Sequence, residues 1–321
     1  MIDSLNNRRA APTVKRRRFR RRVVIENLQG WLFASPWLVG LVIFFIVPMA
    51  WSLGLSFTAY TVVLPAHFIG LGNYLEMVGD PLIRQSLKVT TIFAIISVPL
   101  NLALGLAIAL LLNQKVKLIA MWRTIFYAPS VVSGVAIALL WEWLLNGRFG
   151  LINYALDVLF RITGPDWLND GGTALTAYVL MSAWTIGPSM LINLAALQGV
   201  PTSLYEAAAI DGANAWHRFR YVTIPTISPV IFFNLIIGII TALQSFTQFF
   251  VMTDGGPNNS TLTYMLYLYN IAFQNLRMGY GSAMAWLLFA YLGLLTAIVF
   301  KTSSQWLRRS RCTPVCRGPD P

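Results

Sequence analysis

Five uncharged side chains inside apolar runs have the chemistry to hold a solute by hydrogen bonds: Thr185, Ser189, Gln244, Ser245 and Gln248. Hydroxyls and carboxamides donate and accept without carrying charge. A wall built from them suits an uncharged, polyhydroxylated solute better than an ion. Ser182 and Thr247 lie beside them, the pair Gly187-Pro188 breaks the run between Thr185 and Ser189, and Trp184, Phe246 and Phe249 offer ring faces to a sugar. Taken singly, such polar groups more often hold helices together, at about 0.6 kcal/mol each. Glu142, between Trp141 and Trp143, is the lone acidic residue in an apolar run, and its place near the end of that run suits an interface residue rather than a proton carrier.

A second constellation runs from Tyr205 to Pro229, YEAAAIDGANAWHRFRYVTIPTISP, between two apolar runs. Ser203 and Glu206 have the spacing of a capping box, in which each side chain satisfies the other's backbone N–H. A short helix is expected through Ala207, Ala208, Ala209, Ile210 and Asp211, with Gly212 at a left-handed helix end. Asn214 then caps a second short helix from Ala215 to Tyr221, and Pro225 and Pro229 mark the start of the next run. Three alanines make a thin ridge against which another protein's backbone can sit close, with Tyr205, Ile210, Trp216 and Phe219 as anchors. A helix lying on lipid headgroups is the other reading. The acidic Glu206 and Asp211 speak against it, because headgroup helices carry flanking Lys and Arg.

The elements that must position these groups are membrane helices. The 321-residue chain is 56% hydrophobic and 11% charged, whereas a soluble domain is about a quarter charged. Six apolar stretches reach the roughly 20 residues that cross a bilayer, near 31–56, 88–112, 124–145, 174–198, 226–251 and 280–301. The segment 1–29 reads as a basic arm, 30–305 as the membrane domain and 306–321 as a basic tail. With the N-terminus inside, 19 of the 24 Lys and Arg fall in cytoplasmic segments and 5 outside, which satisfies the positive-inside rule. Both termini and residues 199–222 are therefore expected in the cytoplasm, and the connections around 58–87, 146–173 and 252–279 outside. The net charge of +12 is concentrated beside apolar spans, so lipid headgroups rather than nucleic acid are its partner.

Other chemistries find little support. Cys312 and Cys316 are the only cysteines and His67 and His217 the only histidines, too few for an ordinary four-ligand metal cluster; the cysteines read as free thiols in the tail. The expected topology puts the two histidines on opposite sides of the membrane, which disfavours a membrane enzyme built on them. A secondary transporter or channel remains the alternative, weakened by the want of an ionisable group near a span centre. No G-x-x-x-x-G-K-[ST] phosphate-binding loop occurs, so a nucleotide-driven cycle needs a separate ATPase.

Glu206-Ala207-Ala208, Asp211-Gly212-Ala213 and Ile224-Pro225 resemble the EAA motif of permeases in binding-protein-dependent ABC importers. Trp122-Arg123-Thr124 with Pro129, Ala195-Ala196-Leu197-Gln198 with Pro201, and Thr253-Asp254-Gly255-Gly256-Pro257 resemble the sugar-importer branch of that family, the maltose and glycerol-3-phosphate type. The resemblance covers roughly residues 30 to 305. It implies an all-α fold of six transmembrane helices, similar to type I importer permeases, in a bacterial or archaeal cytoplasmic membrane. It implies a coupling helix, Tyr205 to Ala213, seated in the groove of an ATPase subunit. The implied assembly has two non-identical permease chains, two ATPases and an extracytoplasmic solute-binding protein. No cofactor is expected on this chain; ATP-Mg belongs to the ATPases.

Overall fold

The computed structural model describes residues 16–114 and 117–309. The first fifteen residues, Lys115, Cys312 and Cys316 lie outside that range. The chain divides into two compact units at Gly54. In the first, α1 (Arg16–Leu41) passes through a π-helical turn at Val42–Ile46 into α2 (Val47–Ser56). The basic stretch from Arg16 is thus already helical, although the sequence reading put it in an arm ending at residue 29. Arginine is a good helix former, and no Gly or Pro intervenes before Gly30. Trp31, Phe33, Trp37, Phe44 and Trp51 are exposed, as expected of a helix that faces an apolar medium.

The second unit opens with a two-residue antiparallel ladder, β1 (Thr58–Ala59) against β2 (His67–Phe68), with Thr58 opposite Phe68 and Ala59 opposite His67. Then come α3 (Gly72–Gly79) and α4 (Pro81–Leu112), α5 (Ile119–Tyr127) and α6 (Gly134–Leu144), α7 (Leu151–Phe160), α8 (Ala174–Trp184) and α9 (Gly187–Gln198). The chain continues with α10 (Thr202–Ile210), α11 (Ala215–Arg218), α12 (Ile224–Leu243), α13 (Thr247–Met252), α14 (Tyr264–Tyr269) and α15 (Met278–Arg309). Helix α4 is central and packs against α8, α9, α12 and α14. One buried cluster gathers Phe93, Tyr178, Phe249, Leu266 and Met284, and a smaller one Leu112, Met190, Leu197, Val200 and Ile227.

Among the described residues, four helical stretches are long and apolar enough to cross a membrane, and up to six if each of two bent pairs counts as one span. The chain is a multi-pass membrane protein. The third expected span is not a straight rod: α5 and α6 meet at 98°. A 3-10 turn at Ala128–Val131 carries Pro129, and Val132 is extended after it; proline cannot donate to the helix and sterically stops it. The fourth span is bent by 44° between α8 and α9. The second begins at Pro81 rather than near 88, because Asp80 caps it there.

That cap is the hub of a polar cluster. Asp80 Oδ1 accepts from the Leu82 N–H at 2.8 Å, and Oδ2 accepts from the Tyr267 hydroxyl at 2.6 Å and the Tyr280 hydroxyl at 3.0 Å. Burial pushes the carboxyl up, but the bonds from Tyr267, Leu82 and Tyr280 outweigh it and hold Asp80 below its ordinary 3.8. A lowered native value means stabilisation that is complete above 3.8 and is lost as pH falls through the native value. Asp80→Asn keeps a competent cap but removes the charge that strengthens three hydrogen bonds. The variant is expected to melt a few degrees lower than wild type in detergent at pH 7. Melting curves across acid pH should show the difference closing. A constant difference at all pH values would assign the loss to geometry instead.

Candidate functional site

A cavity of about 300 Å³ lies among α4, α8, α9, α12 and α13. Its polar lining includes Asn101, Ser182, Thr185, Ser189, Ser245 and Gln248. Ser97, Asn234 and Thr241 also reach it, and Phe93, Tyr178 and Phe249 supply rings. Among the described residues, no Asp, Glu, Lys, Arg or His lines it. The groups are arranged, not scattered. Ser97, Asn101 and Gly105 recur at every fourth position of α4 and so share one face. Asn101 Nδ2 donates to Ser182 Oγ at 3.4 Å, while Asn101 Oδ1 and Ser189 Oγ are buried without a hydrogen-bond partner among the described residues. Buried polar atoms are normally paired. Two such atoms therefore sit on residues that line one cavity, with hydrogen-bonding capacity still unmet.

Two helix breaks stand at the wall. One separates α8 from α9 at Thr185–Ile186; the other separates α12 from α13 at Gln244–Phe246. Irregular backbone at membrane depth is tolerated where it is buried in protein or lines a cavity. Here the Ser245 carbonyl accepts from Thr263 Oγ1 at 3.2 Å. The ring of Phe249 stacks on Tyr178 at 4.0 Å and meets Phe93 edge-on at 5.2 Å. The Tyr178 hydroxyl pairs with Thr253 Oγ1 at 2.8 Å, Thr253 with Thr261 at 2.6 Å, and Thr261 donates to the Gly256 carbonyl at 2.7 Å. The Thr253–Pro257 motif is thereby tied to the cavity wall.

Four of the five side chains first singled out line this cavity; Gln244 does not. Helix α12 ends at Leu243, and Gln244 leaves the wall as its exposed C-cap, so helical spacing no longer governs where it points. Gly187 is not a wall residue either. A Cβ there would stand 2.8 Å from the Tyr127 Cα and 2.9 Å from the Phe126 carbonyl, so its role is close approach of α9 to α5. Nor do Trp184 and Phe246 offer faces to the cavity. Trp184 meets Trp141 edge-on at 6.0 Å, and Phe246 stacks on Phe250 at 5.3 Å. Glu142 is exposed on α6. Ser97, Asn101, Asn234 and Thr241 were missed by sequence reading. The four-residue spacing on α4 was the available signal for the first two.

The second site is the α10–α11 hairpin. No capping box forms: Pro201 takes the N-cap position, so Ser203 falls inside the first turn. The C-terminal end follows expectation. Gly212 has φ +76°, its N–H donates to the Ala209 carbonyl at 3.1 Å, and the Ala213 N–H donates to Ala208 at 2.9 Å. These two bonds are the Schellman pattern, which satisfies the last carbonyls of a helix. Asn214 Oδ1 accepts from the His217 N–H at 2.8 Å and caps α11. The second short helix does not stop at Tyr221. It passes through a π-helical turn, Phe219–Thr223, directly into α12.

The hairpin presents Glu206, Ala207, Ala209 and Asp211 outward, with Ile210 at 87% and Trp216 at 66% exposure at its tip. Ala208 and Ala213 are half-buried. Tyr205 turns inward instead. Its ring packs on the cluster of Leu112, Met190, Leu197 and Ile227, and its hydroxyl pairs with Thr223 Oγ1 at 2.9 Å. A capped hairpin with an apolar tip is thus continuous with the helix that lines the charge-free cavity.

The model of the family described as binding-protein-dependent transport system inner membrane component matches residues 101–309, which hold the hairpin and all of the cavity lining except Phe93, Ser97 and Val98. The chain belongs to this family. It is 43% identical over 290 residues to the probable ABC transporter permease protein YesP of Bacillus subtilis (strain 168), across 88% of this chain and 92% of that one. It is 35% identical over 279 residues to the trehalose/maltose transport system permease protein MalF of Thermococcus litoralis, across 86% and 94%. The lactose transport system permease protein LacF of Rhizobium radiobacter is 34% identical over 281 residues, across 85% and 93%. The permease shares its fold with a chain of a bacterial alginate ABC transporter solved in complex with an alginate pentasaccharide-bound periplasmic protein. That match has a TM-score of 0.78 at 20% identity, over 89% of this chain and 97% of the other.

Proposed function

We propose that this permease translocates a sugar or related polyhydroxylated solute, delivered by an extracytoplasmic binding protein and driven by ATP hydrolysis on partner ATPases. The carrying observation is the cavity: neutral donors and acceptors, two of them unpaired, beside stacked rings and without a charged wall residue. Uncharged hydroxyl-rich ligands meet such a wall on equal terms, whereas an ion would lose its hydration without compensation. The names of the trehalose/maltose and lactose relatives agree with this reading. Thr185, Ser189, Ser245 and Gln248 stand on the solute path, joined by Asn101 and Asn234.

Residues Tyr205 to Ala213 form the coupling segment, with the exposed Ile210 and the thin alanine ridge set against an ATPase groove. A second permease chain, non-identical to this one, and two ATPases complete the unit in a bacterial or archaeal cytoplasmic membrane. ATP-Mg binds there, on the ATPases. With each bent pair counted as one crossing, the reading has six crossings, with both termini and the α10–α11 hairpin in the cytoplasm; it is supported by the 19 of 24 Lys and Arg that then fall on that side.

The topology is testable by single-cysteine labelling at Asn258 and at Ala213 in a chain lacking Cys312 and Cys316. An impermeant reagent on intact cells is expected to modify position 258 and spare position 213. Equal modification of both would defeat the six-crossing arrangement. Retention of an ATPase on purification of the permease separates an ABC importer from an ion-coupled carrier, and its absence would favour the carrier.

A further inference from the structure

We propose that the hydroxyl pair Tyr205–Thr223 is the strut that makes the coupling hairpin and the cavity-lining helix α12 move as one body. The inference rests on the coupling reading given above. It assigns to Tyr205 a positioning role inside the permease rather than a contact with the ATPase.

Helix α10 joins α12 covalently only through Asp211–Asn214 and α11. The turn in that path is open: Gly212 is left-handed and a Cβ placed on it would meet nothing within 4 Å. A turn without packing bends under load, so it cannot alone carry a push from the hairpin tip into the membrane. The hydroxyl pair closes the hairpin across its base. Tyr205 lies in the first half of α10, and Thr223 ends the π-helical turn that feeds α12. Thr223 is 5% exposed, and its Oγ1 stands 2.9 Å from the Tyr205 hydroxyl and 3.4 Å from the Arg218 carbonyl. The Tyr205 ring packs against the buried cluster that holds Leu112 of α4, Leu197 of α9 and Ile227 of α12. Two connections, one covalent and one by hydrogen bond and packing, make a triangle out of what would otherwise be a hinge.

The path continues along a single helix. Asn234 lies eleven residues beyond Thr223, roughly 16 Å at 1.5 Å per residue. Its Nδ2 donates to Asn193 Oδ1 of α9 at 3.1 Å, and Asn234, Gly238 and Thr241 line the cavity. A displacement of the hairpin therefore reaches the cavity wall through α12 provided the strut holds. Extra-long turns inserted in helices recur at functional sites, and this one ends on the strut residue. Spatial order alone does not establish coupling, so the test measures the interaction between the two residues.

The experiment uses the whole complex of permeases, ATPases and binding protein in liposomes, with Tyr205→Phe, Thr223→Val and the double variant. Thr223→Ser, which keeps the hydroxyl, and Ile210→Asp, which alters the exposed tip, serve as comparisons. Each complex is assayed for ATPase retained on purification, for uptake, and for the ratio of hydrolysis with and without solute-loaded binding protein. Tyr205→Phe and Thr223→Val should retain the ATPases yet lose about tenfold in uptake and in the stimulation ratio together, since coupling between two sites is reciprocal and of this scale. The double variant should be no worse than either single one, because both remove the same interaction. Thr223→Ser should restore wild-type coupling. Wild-type ratios in both single variants would overturn the strut. So would additive losses, or loss of the ATPases themselves, which would mark the pair as ordinary packing. Ile210→Asp keeps the two ideas apart. If it retains wild-type ATPase association and coupling, the coupling reading fails; if it loses them while Tyr205→Phe does not, the strut alone fails.

Discussion

Gly212→Val is expected to abolish uptake and binding-protein-stimulated ATP hydrolysis while the chain still reaches the membrane. The fault is confined to the backbone. Gly212 has φ +76° and open space around the position of a Cβ, so valine meets no neighbour. It meets its own peptide group, because a β-branched residue in the left-handed region is a steric outlier. Strain of this kind costs on the order of 1–3 kcal/mol, which the packed membrane helices survive and a single turn does not. The cheapest relief is to give up the left-handed turn and, with it, the bonds from Gly212 to Ala209 and from Ala213 to Ala208. Helix α10 then frays from its exposed end, and Ile210, 87% exposed at the tip, is presented in the wrong place. Gly212→Asn is the control, since asparagine visits the left-handed region readily. It should retain most of the uptake. The measurement is uptake and stimulated hydrolysis by the reconstituted complex, with membrane abundance of each variant. Full activity in Gly212→Val would show that the shape of this turn does not matter to the cycle.

What the sequence disclosed and what it hid follow from the range of the interactions involved. Gly212 and Asn214 were legible because a helix end is a local event, decided within four or five residues. The apolar runs were legible because membrane helices are long and their composition is extreme. The capping box at Ser203 and Glu206 failed for a local reason as well: Pro201 started the helix two residues earlier than the motif requires. The break at Gln244–Phe246 had no such signal, since neither Gly nor Pro stands there. It exists because tertiary contacts, among them Thr263 Oγ1 with the Ser245 carbonyl, satisfy the freed backbone. Asn234 was hidden in an apolar run for the same reason, its partner Asn193 being 41 residues away in sequence. The 98° turn at Pro129 to Gly134 was announced by its residues, but the apolar run across it read as one span.

Asn101→Leu is expected to raise the solute concentration needed for half-maximal uptake roughly five- to tenfold, whereas Gln244→Leu should change it little. Sequence alone favours the opposite ranking, because Gln244 stands beside Ser245 and Asn101 sits in an unremarked apolar helix. Geometry reverses it. Asn101 lines the cavity with its Oδ1 unpaired, and its Nδ2 reaches Ser182 only at 3.4 Å. The carboxamide is thus free to take a hydroxyl from the solute and to shift its weak donation to a second one. A neutral hydrogen bond is worth about 1–1.5 kcal/mol net, and 1.4 kcal/mol is tenfold in affinity, so one lost bond gives the stated change. Leucine has nearly the same shape, and it removes an unpaired buried acceptor from the protein, so assembly should not suffer. Gln244 is exposed where α12 ends and makes no part of the wall. Uptake measured against solute concentration, with the retained ATPase as the check on assembly, decides between them. If Gln244→Leu shifts the curve and Asn101→Leu does not, the solute passes elsewhere than through this cavity.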